Sequence, residues 1–198
     1  MTIVNGYCTL AEARTWLGFK TSDTTTDDAL IEAIVEEVSR WIDNKCQRRF
    51  YKNTVAETKY YTARDEYIVE TDDIVSLTSL KTDDDGDGTF ENTWSTDNYV
   101  LWPFNGEEPY RRIEVNRGSM AYLFPRVKKG VEAVGIFGWS SVPSTIKRAC
   151  IMQTARIFKR QDAIFGVAGS TAMGEITLTQ PGLDVDVEQM IKTYVRVY

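Results

Sequence analysis

The chain has 198 residues, of which 42% are hydrophobic and 26% charged, so it can bury a core and is not expected to be disordered. A net charge of −6 disfavours tight nucleic-acid binding. The absence of histidine disfavours histidine-based nucleophile systems and the common histidine zinc sites. The sequence shows neither a membrane span nor a signal peptide, so we expect no membrane partner. Its three cysteines have no CxxC spacing, so we expect reduced and buried thiols and a cytoplasmic origin.

Two helices are predicted at the start of the chain. Thr9 and Glu12 match a capping box, and a short helix should follow as far as Gly18. A longer helix is predicted over about 27–49, because apolar residues recur there at helical spacing. Its predicted core side comprises Leu30, Ile31, Ile34, Val35, Val38, Trp41, Ile42 and Cys46. The opposite side, expected to face outward, carries Glu32, Glu36, Ser39 and Asp43.

Residues 55–138 have a different pattern. Tyr, Thr, Val and Ile dominate, and turn sequences recur at short intervals, which predicts a set of short antiparallel strands. Aromatic residues are concentrated in this region and are expected to form a small core of their own. They are Trp94, Tyr99, Trp102, Phe104, Tyr110, Tyr122 and Phe124.

A third helix is predicted over 144–161, with Pro143 suited to its start. One face is apolar, with Ile146, Cys150, Ile151, Thr154, Ile157 and Phe158, and the other is basic, with Arg148, Arg156, Lys159 and Arg160. The basic stripe could contact phosphates, but in so acidic a chain a solvated face or a salt-bridged contact with another subunit is favoured.

The remaining residues are predicted to form a C-terminal arm. Residues 166–174 are small and glycine-rich, as in a linker or mobile loop, and 175–179 alternate like a strand. A last helix is predicted over about 186–198, with Asp186 as its N-cap. Its apolar stripe of Val187, Met190, Ile191, Tyr194, Val197 and Tyr198 suits packing on its own core or docking on a partner equally.

The predicted fold class is therefore α+β. We expect a helical bundle formed by residues 1–54 and 139–165, an inserted antiparallel β-rich subdomain at 55–138, and a mobile C-terminal arm at 166–198 that ends in a short helix.

One motif suggests chemistry. Residues 83–88 fit D-x-D-x-D-G, the opening of an EF-hand calcium loop, and Asp83, Asp85 and Asp87 offer hard oxygen ligands. The twelfth position, where such a loop needs a bidentate Glu, is Trp94, and the flanking residues are predicted strands. An exposed hairpin turn without metal is therefore favoured.

Several stretches together resemble phage head–tail connector (adaptor) proteins. Residues 7–18 resemble the family's opening helix, and 27–50 resemble its second helix with an "ID…C.R.F" ending. The turn at 138–149 resembles the entry to the third main helix, and Trp94, Tyr99, Pro103 and Asn105 resemble the β-rich insert of longer members. Residues 184–187 and 194–196 resemble the last helix, although Val195 departs from its frequent "YRR" ending.

This resemblance implies a structural function without catalytic residues or cofactor. Family members form a ring, of twelve subunits in the virion, under the portal. Double-stranded DNA passes through this ring during packaging and ejection without sequence-specific binding, and the next connector, stopper or tail component attaches to it. The resemblance also implies a location in the virion, with assembly in the host cytoplasm. A calcium-binding module that uses residues 83–88 and a carboxylate-based hydrolase remain the alternatives.

Two surfaces are candidates for these contacts. Helix faces of opposite charge suit a ring, where one surface of a subunit meets a different surface of its neighbour. The candidate ring interface is Glu32, Glu36, Asp43, Arg148, Arg156 and Lys159. The resemblance implies that the portal is the surface against which the C-terminal arm packs. The candidate portal-binding residues are therefore the apolar residues of its predicted strand and helix, Ile176, Leu178, Val187, Met190, Ile191 and Tyr194.

Overall fold

The computed structural model describes residues 2–20, 22–106, 108–119, 121–160 and 184–196. The chain divides into two units, one formed by residues 1–47 and 142–198 and the other by residues 48–141. The described part of the first unit contains α1 (Leu10–Leu17), α2 (Asp28–Cys46), α3 (Ser144–Arg160) and α4 (Val185–Lys192). The second contains β1 (Glu57–Tyr61), β2 (Ile68–Thr82), β3 (Asn92–Thr93), β4 (Tyr99–Trp102), β5 (Tyr110–Val115) and β6 (Val131–Phe137). The α+β prediction is confirmed.

The predicted capping box begins α1. The backbone N–H of Glu12 donates to the Thr9 hydroxyl at 3.2 Å, and the Glu12 carboxylate accepts from the backbone N–H of Thr9 at 2.8 Å. The helix ends at Gly18, whose left-handed φ of 86° suits a residue without a Cβ atom. Both predicted ends of this helix are therefore confirmed.

The second helix is shorter than its sequence pattern suggested. It ends at Cys46, and Gln47 adopts a left-handed φ of 54°, so the predicted end at about residue 49 was wrong. The physical reason lies in the next residues, which pack in the second unit. Arg48 pairs with Asp73 at 3.2 Å, and Phe50 is fully buried against Trp139.

The predicted faces of α2 also need two corrections. Ser39, expected on the outer face, is fully buried, whereas Leu30, expected in the core, is 43% exposed. Burial of Ser39 is compatible with its polarity because its hydroxyl donates to the Val35 carbonyl at 2.7 Å and accepts the Tyr7 N–H at 3.0 Å. Helical spacing alone cannot identify a polar residue that is satisfied inside the core.

The core of the helical unit centres on α3, which packs against α1, α2 and α4. The apolar face predicted for α3 is confirmed by the burial of Ile146, Cys150 and Phe158.

Helix α4 covers Val185–Lys192 rather than 186–198, and its N-cap is Asp184, not Asp186. The Asp184 carboxylate accepts from the N–H of Asp186 at 3.0 Å. The predicted linker at 166–174 and strand at 175–179 lie outside the described residues.

The second unit is one antiparallel sheet with the strand order β1-β6-β2-β5-β4, and β3 pairs with the end of β2. Strand β2 is long because it pairs first with β5 and then with β6, with register shifts between Glu70 and Ile74 and again before Ser79. Strand β6 alternates strictly between buried and half-buried residues, so one face is core. The antiparallel strands predicted for this region are confirmed.

The aromatic core predicted for this sheet is partly confirmed. Trp94 stacks on Phe124 with ring centroids 4.6 Å apart, and Tyr122 packs beside it. The Trp94 indole N–H donates to the Thr82 hydroxyl at 3.2 Å, so its polar edge is satisfied. Phe104, in contrast, is 54% exposed and does not belong to the core.

Gly138, directly after β6, lies close to the backbone of the segment that follows α2. Its φ is 112°, and an added Cβ atom would lie 1.9 Å from the Tyr51 carbonyl oxygen. Only glycine permits this backbone conformation and this approach.

Candidate functional site

The acidic face of α2 is covered by the amino-terminal segment, residues 2–8. The Glu36 carboxylate accepts the backbone N–H groups of Val4 and Asn5, the latter at 2.9 Å, and the Asp43 carboxylate accepts the Tyr7 hydroxyl. Glu36 and Asp43 are therefore half-buried groups with partners inside the chain. Periodicity could not predict these contacts, because the covering segment has no helical or strand period.

Arg40 of α2 also contacts the amino-terminal segment. Its guanidinium donates to the Asn5 carbonyl at 2.9 Å, lies 5.5 Å from the centre of the Tyr7 ring, and pairs with Asp43 at 3.2 Å. Together with the buried Tyr7 N–H to Ser39 contact, these bonds fix the segment along α2. Of the predicted acidic ring residues, Glu32 is half-buried one helical turn before Glu36.

Some basic residues of α3 are exposed to solvent, whereas another forms an ion pair within the chain. Arg148 and Lys159 are exposed, and because they are eleven positions apart they lie on the same side of the helix. Arg156 is half-buried and pairs with Asp184, the N-cap of α4, at 3.2 Å. The structure thus leaves Arg148 and Lys159 open to solvent, whereas Arg156 fixes the start of α4.

A groove of about 200 Å³ lies between α2 and α3. Its lining includes the apolar residues Val38, Trp41 and Ile157 and the charged residues Glu37 and Arg160. This groove belongs to the helical unit alone.

The candidate portal-binding residues of α4 have different surroundings. Val187 is fully buried and Ile191 is 2% exposed, whereas Met190 and Tyr194 are half-buried. The Arg196 N–H donates to the Cys46 carbonyl at 2.9 Å, which attaches the segment after α4 to the last residue of α2. These four residues thus pack on the chain's own helices, one of the two arrangements the sequence left open, while Val197 and Tyr198 lie outside the described residues. Ile176 and Leu178 lie outside the described residues.

The carboxylates of the acidic loop, residues 83–91, lie close together, and the Asp83 carboxylate stabilises the turn by accepting backbone hydrogen bonds. One oxygen each from Asp83, Asp85, Asp87 and Glu91 lies within 4.8 Å of the others. Asp83 accepts the N–H of Gly86 at 2.6 Å with one oxygen and the N–H of Gly88 at 2.9 Å with the other.

Asp83 is buried, so the predicted full exposure of this hairpin was wrong at its first residue. Removal from water raises the pKa of the Asp83 carboxyl, but the two glycine N–H groups favour the charged form. The net pKa lies below its ordinary value. Trp94, at the twelfth position of the motif, is buried in the sheet core and provides no metal ligand.

Two carboxylates also line a surface depression of about 630 Å³ in the sheet unit. These are Glu66 and Asp84, and both side chains are exposed. A carboxyl that acts as a general acid needs an apolar setting that keeps it protonated, which an exposed side chain does not have. This depression therefore gives no support to a carboxylate hydrolase.

Among the helices that the structure describes, none is long and apolar enough to cross a membrane. No protein-family model matches the sequence, and a comparison with curated proteins gives no match.

Solved structures give several matches over almost the entire chain. A chain from the neck of an empty GTA particle computed with C6 symmetry is 17% identical, with a TM-score of 0.56, and the match covers 96% of this chain and 89% of that chain. A chain from the virion of the native gene transfer agent (GTA) particle is 19% identical, with a TM-score of 0.55 and the same coverage. A chain from the neck of the native GTA particle computed with C12 symmetry is 18% identical, with a TM-score of 0.55, and covers 96% and 88%.

At these sequence identities the likeness establishes a common fold. The α+β fold of this chain is that of a chain found in the neck of the GTA particle.

Proposed function

We propose that this chain is a structural, non-enzymatic component of the head–tail junction of a tailed phage or phage-like particle. The observation that supports this proposal is the fold match, which covers 96% of this chain and 89% of a chain in the GTA neck. A match of this extent includes both the helical and the sheet units. It also fits the helix, sheet and helix order by which the sequence resembles the head–tail connector family.

The finer role that we propose is that of an adaptor ring under the portal. The GTA neck structures were computed with C6 and C12 symmetry, which are cyclic arrangements, and a ring of twelve subunits fits the latter. A chain with a net charge of −6 suits a channel that lets double-stranded DNA pass without holding it. Such a subunit would join its particle in the host cytoplasm and remain in the virion.

The ring contact that we propose joins the two charged helix faces of neighbouring subunits. Exposed Arg148 and Lys159 of α3 supply the positive charge. Glu32, Glu36 and Asp43 of the next subunit supply the negative charge, and Arg156 stands beside the contact. Because Glu36 and Asp43 already hold the amino-terminal segment, they would act mainly through their charge. Complementary charge of this kind sets register more than affinity.

The portal contact that we propose involves the C-terminal residues. Val187 and Ile191 would fix α4 on its own unit because they are buried there. Met190 and Tyr194, which are half-buried, would then present the remaining apolar surface together with Ile176 and Leu178. A stopper or tail component would bind the opposite end of the ring.

Co-purification with the portal protein of the same particle, followed by electron microscopy, tests this function. The expected result is a ring of this chain on the axis of the portal. A portal that purifies without the chain, while the chain remains monomeric with its native thermal transition, would contradict the adaptor role. The native transition ensures that a negative result does not come from misfolding.

The calcium-binding alternative rests on the carboxylate cluster of residues 83–91. The four acids are close enough for a cation, but both oxygens of Asp83 already accept backbone N–H groups. We therefore favour the structural role.

A further inference from the structure

Two of the three cysteines meet in the core of the helical unit. The Sγ atoms of Cys8 and Cys150 are 3.6 Å apart, with Cys8 3% exposed and Cys150 fully buried. They are 142 positions apart in the chain, so only the tertiary fold brings them together. The third thiol, Cys46, is also fully buried, but it faces the Ile191 carbonyl at 3.8 Å.

The residues around the pair hold the two thiols in this contact. Cys8 directly precedes Thr9, the N-cap of α1, and follows Tyr7, whose N–H donates to the Ser39 hydroxyl at 3.0 Å. That same hydroxyl lies 3.5 Å from the Sγ atom of Cys150. Cys8 is thus positioned by the amino-terminal segment and Cys150 by helix α3.

We propose that Cys8 and Cys150 are a disulfide site, which a small-molecule disulfide such as glutathione disulfide oxidises in the folded protein. Two sulfur atoms in contact need to approach by only about 1.5 Å to reach the disulfide bond length. Because Cys8 lies outside any helix, the segment that carries it can supply this movement. The proposal depends on this geometry alone and not on the proposed function.

The reaction has two exchange steps. When the amino-terminal segment separates from α2, the Cys8 thiol loses its proton and attacks one sulfur of glutathione disulfide, which releases one glutathione thiolate. After the segment returns, the Cys150 thiolate attacks the Cys8 sulfur and releases the second glutathione thiolate. Both thiolates take up the protons that the cysteines gave, so two cysteine thiols are oxidised and one glutathione disulfide is reduced.

The electrostatics of the pair agree with this order of attack. The hydrogen bond with Cys150 and burial both raise the pKa of the Cys8 thiol while the segment is closed, so Cys8 must be exposed before it reacts. The hydrogen bond from Cys8 lowers the pKa of Cys150, with a further contribution from Ser39, in opposition to its burial. Once Cys8 carries glutathione it has no S–H left to donate, so the contribution of Ser39 is what still favours the Cys150 thiolate in the second, internal step.

The disulfide would fix the segment that covers the acidic face of α2. In the reduced protein that segment is held by hydrogen bonds to Glu36, Ser39 and Asp43. In the oxidised protein a covalent bond to α3 would be added, so the segment could no longer separate from these carboxylates.

The test uses the full-length protein at about pH 8, where thiols of ordinary pKa begin to ionise. The protein is incubated with glutathione mixtures from fully reduced to fully oxidised, then unfolded in acid, treated with a thiol reagent and analysed by mass spectrometry. We expect the loss of two hydrogens and of two reactive thiols, with one peptide pair that links Cys8 to Cys150. The side chain of Cys46 should remain a reduced thiol, and the Cys46→Ser variant should form the same link.

Thermal unfolding provides a second measurement. Closing so long a loop should raise the midpoint by about 5 °C or more, and a reducing dithiol should reverse the rise. Cys8→Ser and Cys150→Ser should show no oxidant-dependent rise. The proposal is overturned if all three thiols survive the fully oxidised mixture, if glutathione remains on Cys8 without a link to Cys150, or if Cys46 is linked instead. None of these outcomes depends on portal binding or on ring formation.

Discussion

At the scale of single residues, Asp83 shows that a motif typical of metal ligands can instead supply acceptors for backbone N–H groups. The motif suggests calcium ligands, but the Asp83 carboxylate closes the turn by accepting the N–H groups of Gly86 and Gly88. Both glycines have left-handed φ values, of 81° and 91°. The sequence of acids and glycines is therefore explained by the geometry of the loop.

The first prediction concerns this carboxylate. Asp83→Ala should lower the stability of the sheet unit, because two backbone N–H groups next to a buried position lose their acceptor. Asp84→Ala is the matched control, since Asp84 is exposed and accepts only from the Asn92 side chain among the hydrogen bonds described for it. Urea unfolding of both variants checks this, and equal midpoints would contradict the capping role.

The effect should also depend on pH. Because the pKa of Asp83 in the folded protein lies below its value in the unfolded chain, its contribution to stability is complete above about pH 4. That contribution is lost as the pH falls through the lower pKa of the folded state. The difference in unfolding midpoint between the wild type and Asp83→Asn should therefore be constant near neutral pH and shrink in acid.

The second prediction concerns metal at the same loop. Calorimetric titration with calcium should show no binding tighter than roughly millimolar, which is the weak end for such loops. The reasons are that both Asp83 oxygens are engaged and that Trp94 replaces the bidentate glutamate. Sub-micromolar binding that Asp85→Asn and Asp87→Asn abolish would instead support the calcium module.

At the scale of elements, α4 illustrates a helix that sequence periodicity alone could not place. Two valines on this helix differ in their surroundings, since Val187 is fully buried and Val185 is 63% exposed. The helix has only eight residues and would be marginal in water by itself. Its stability must therefore come from packing on α2 and α3, together with the Asp184 cap and its pair with Arg156.

The third prediction compares these two valines. Val187→Ala should lower the free energy of unfolding by about 2 kcal/mol, because it removes buried methyl groups and leaves a cavity. Val185→Ala, the same chemical change two residues away, should alter it by less than about 0.5 kcal/mol. Chemical denaturation followed by circular dichroism measures both values. Equal effects would show that α4 does not pack on its own unit in solution.

At the scale of the whole molecule, the proposed ring depends on charge that the fold leaves exposed. Reversing Glu36 and Asp43 would disturb the amino-terminal segment as well as a neighbour, since both carboxylates accept hydrogen bonds from it. Arg148 and Lys159 are better targets because both are exposed on one side of α3.

The fourth prediction uses these two residues. The double variant Arg148→Glu and Lys159→Glu should weaken ring assembly on the portal by about tenfold or more, because like charges then meet across each repeated contact. Its thermal midpoint should stay within a few degrees of the wild type. Sedimentation at several salt concentrations measures assembly.

The double variant Arg126→Glu and Lys128→Glu is the matched control. It makes the same change in net charge at two exposed residues of the turn before β6. Assembly that the control weakens as much as the α3 variant would show that net charge, and not the α3 face, controls the ring.

Local features of this chain were determined by the sequence itself. The capping box at Thr9, the apolar face of α3 and the antiparallel strands depend on short-range geometry, which repeats every 3.6 residues in a helix and every two in a strand. The α+β class follows from the order of these patterns.

Only the tertiary structure decided which surfaces remain open. Burial of Ser39, the covering of Glu36 and Asp43, and the pairing of Arg156 with Asp184 depend on segments distant in sequence. The same is true of the contact between Cys8 and Cys150. No local period encodes such contacts, because each arises from the path of the backbone between helices. Sequence periodicity thus identified the charged faces of α2 and α3, while the fold determined which of their charges can meet a partner.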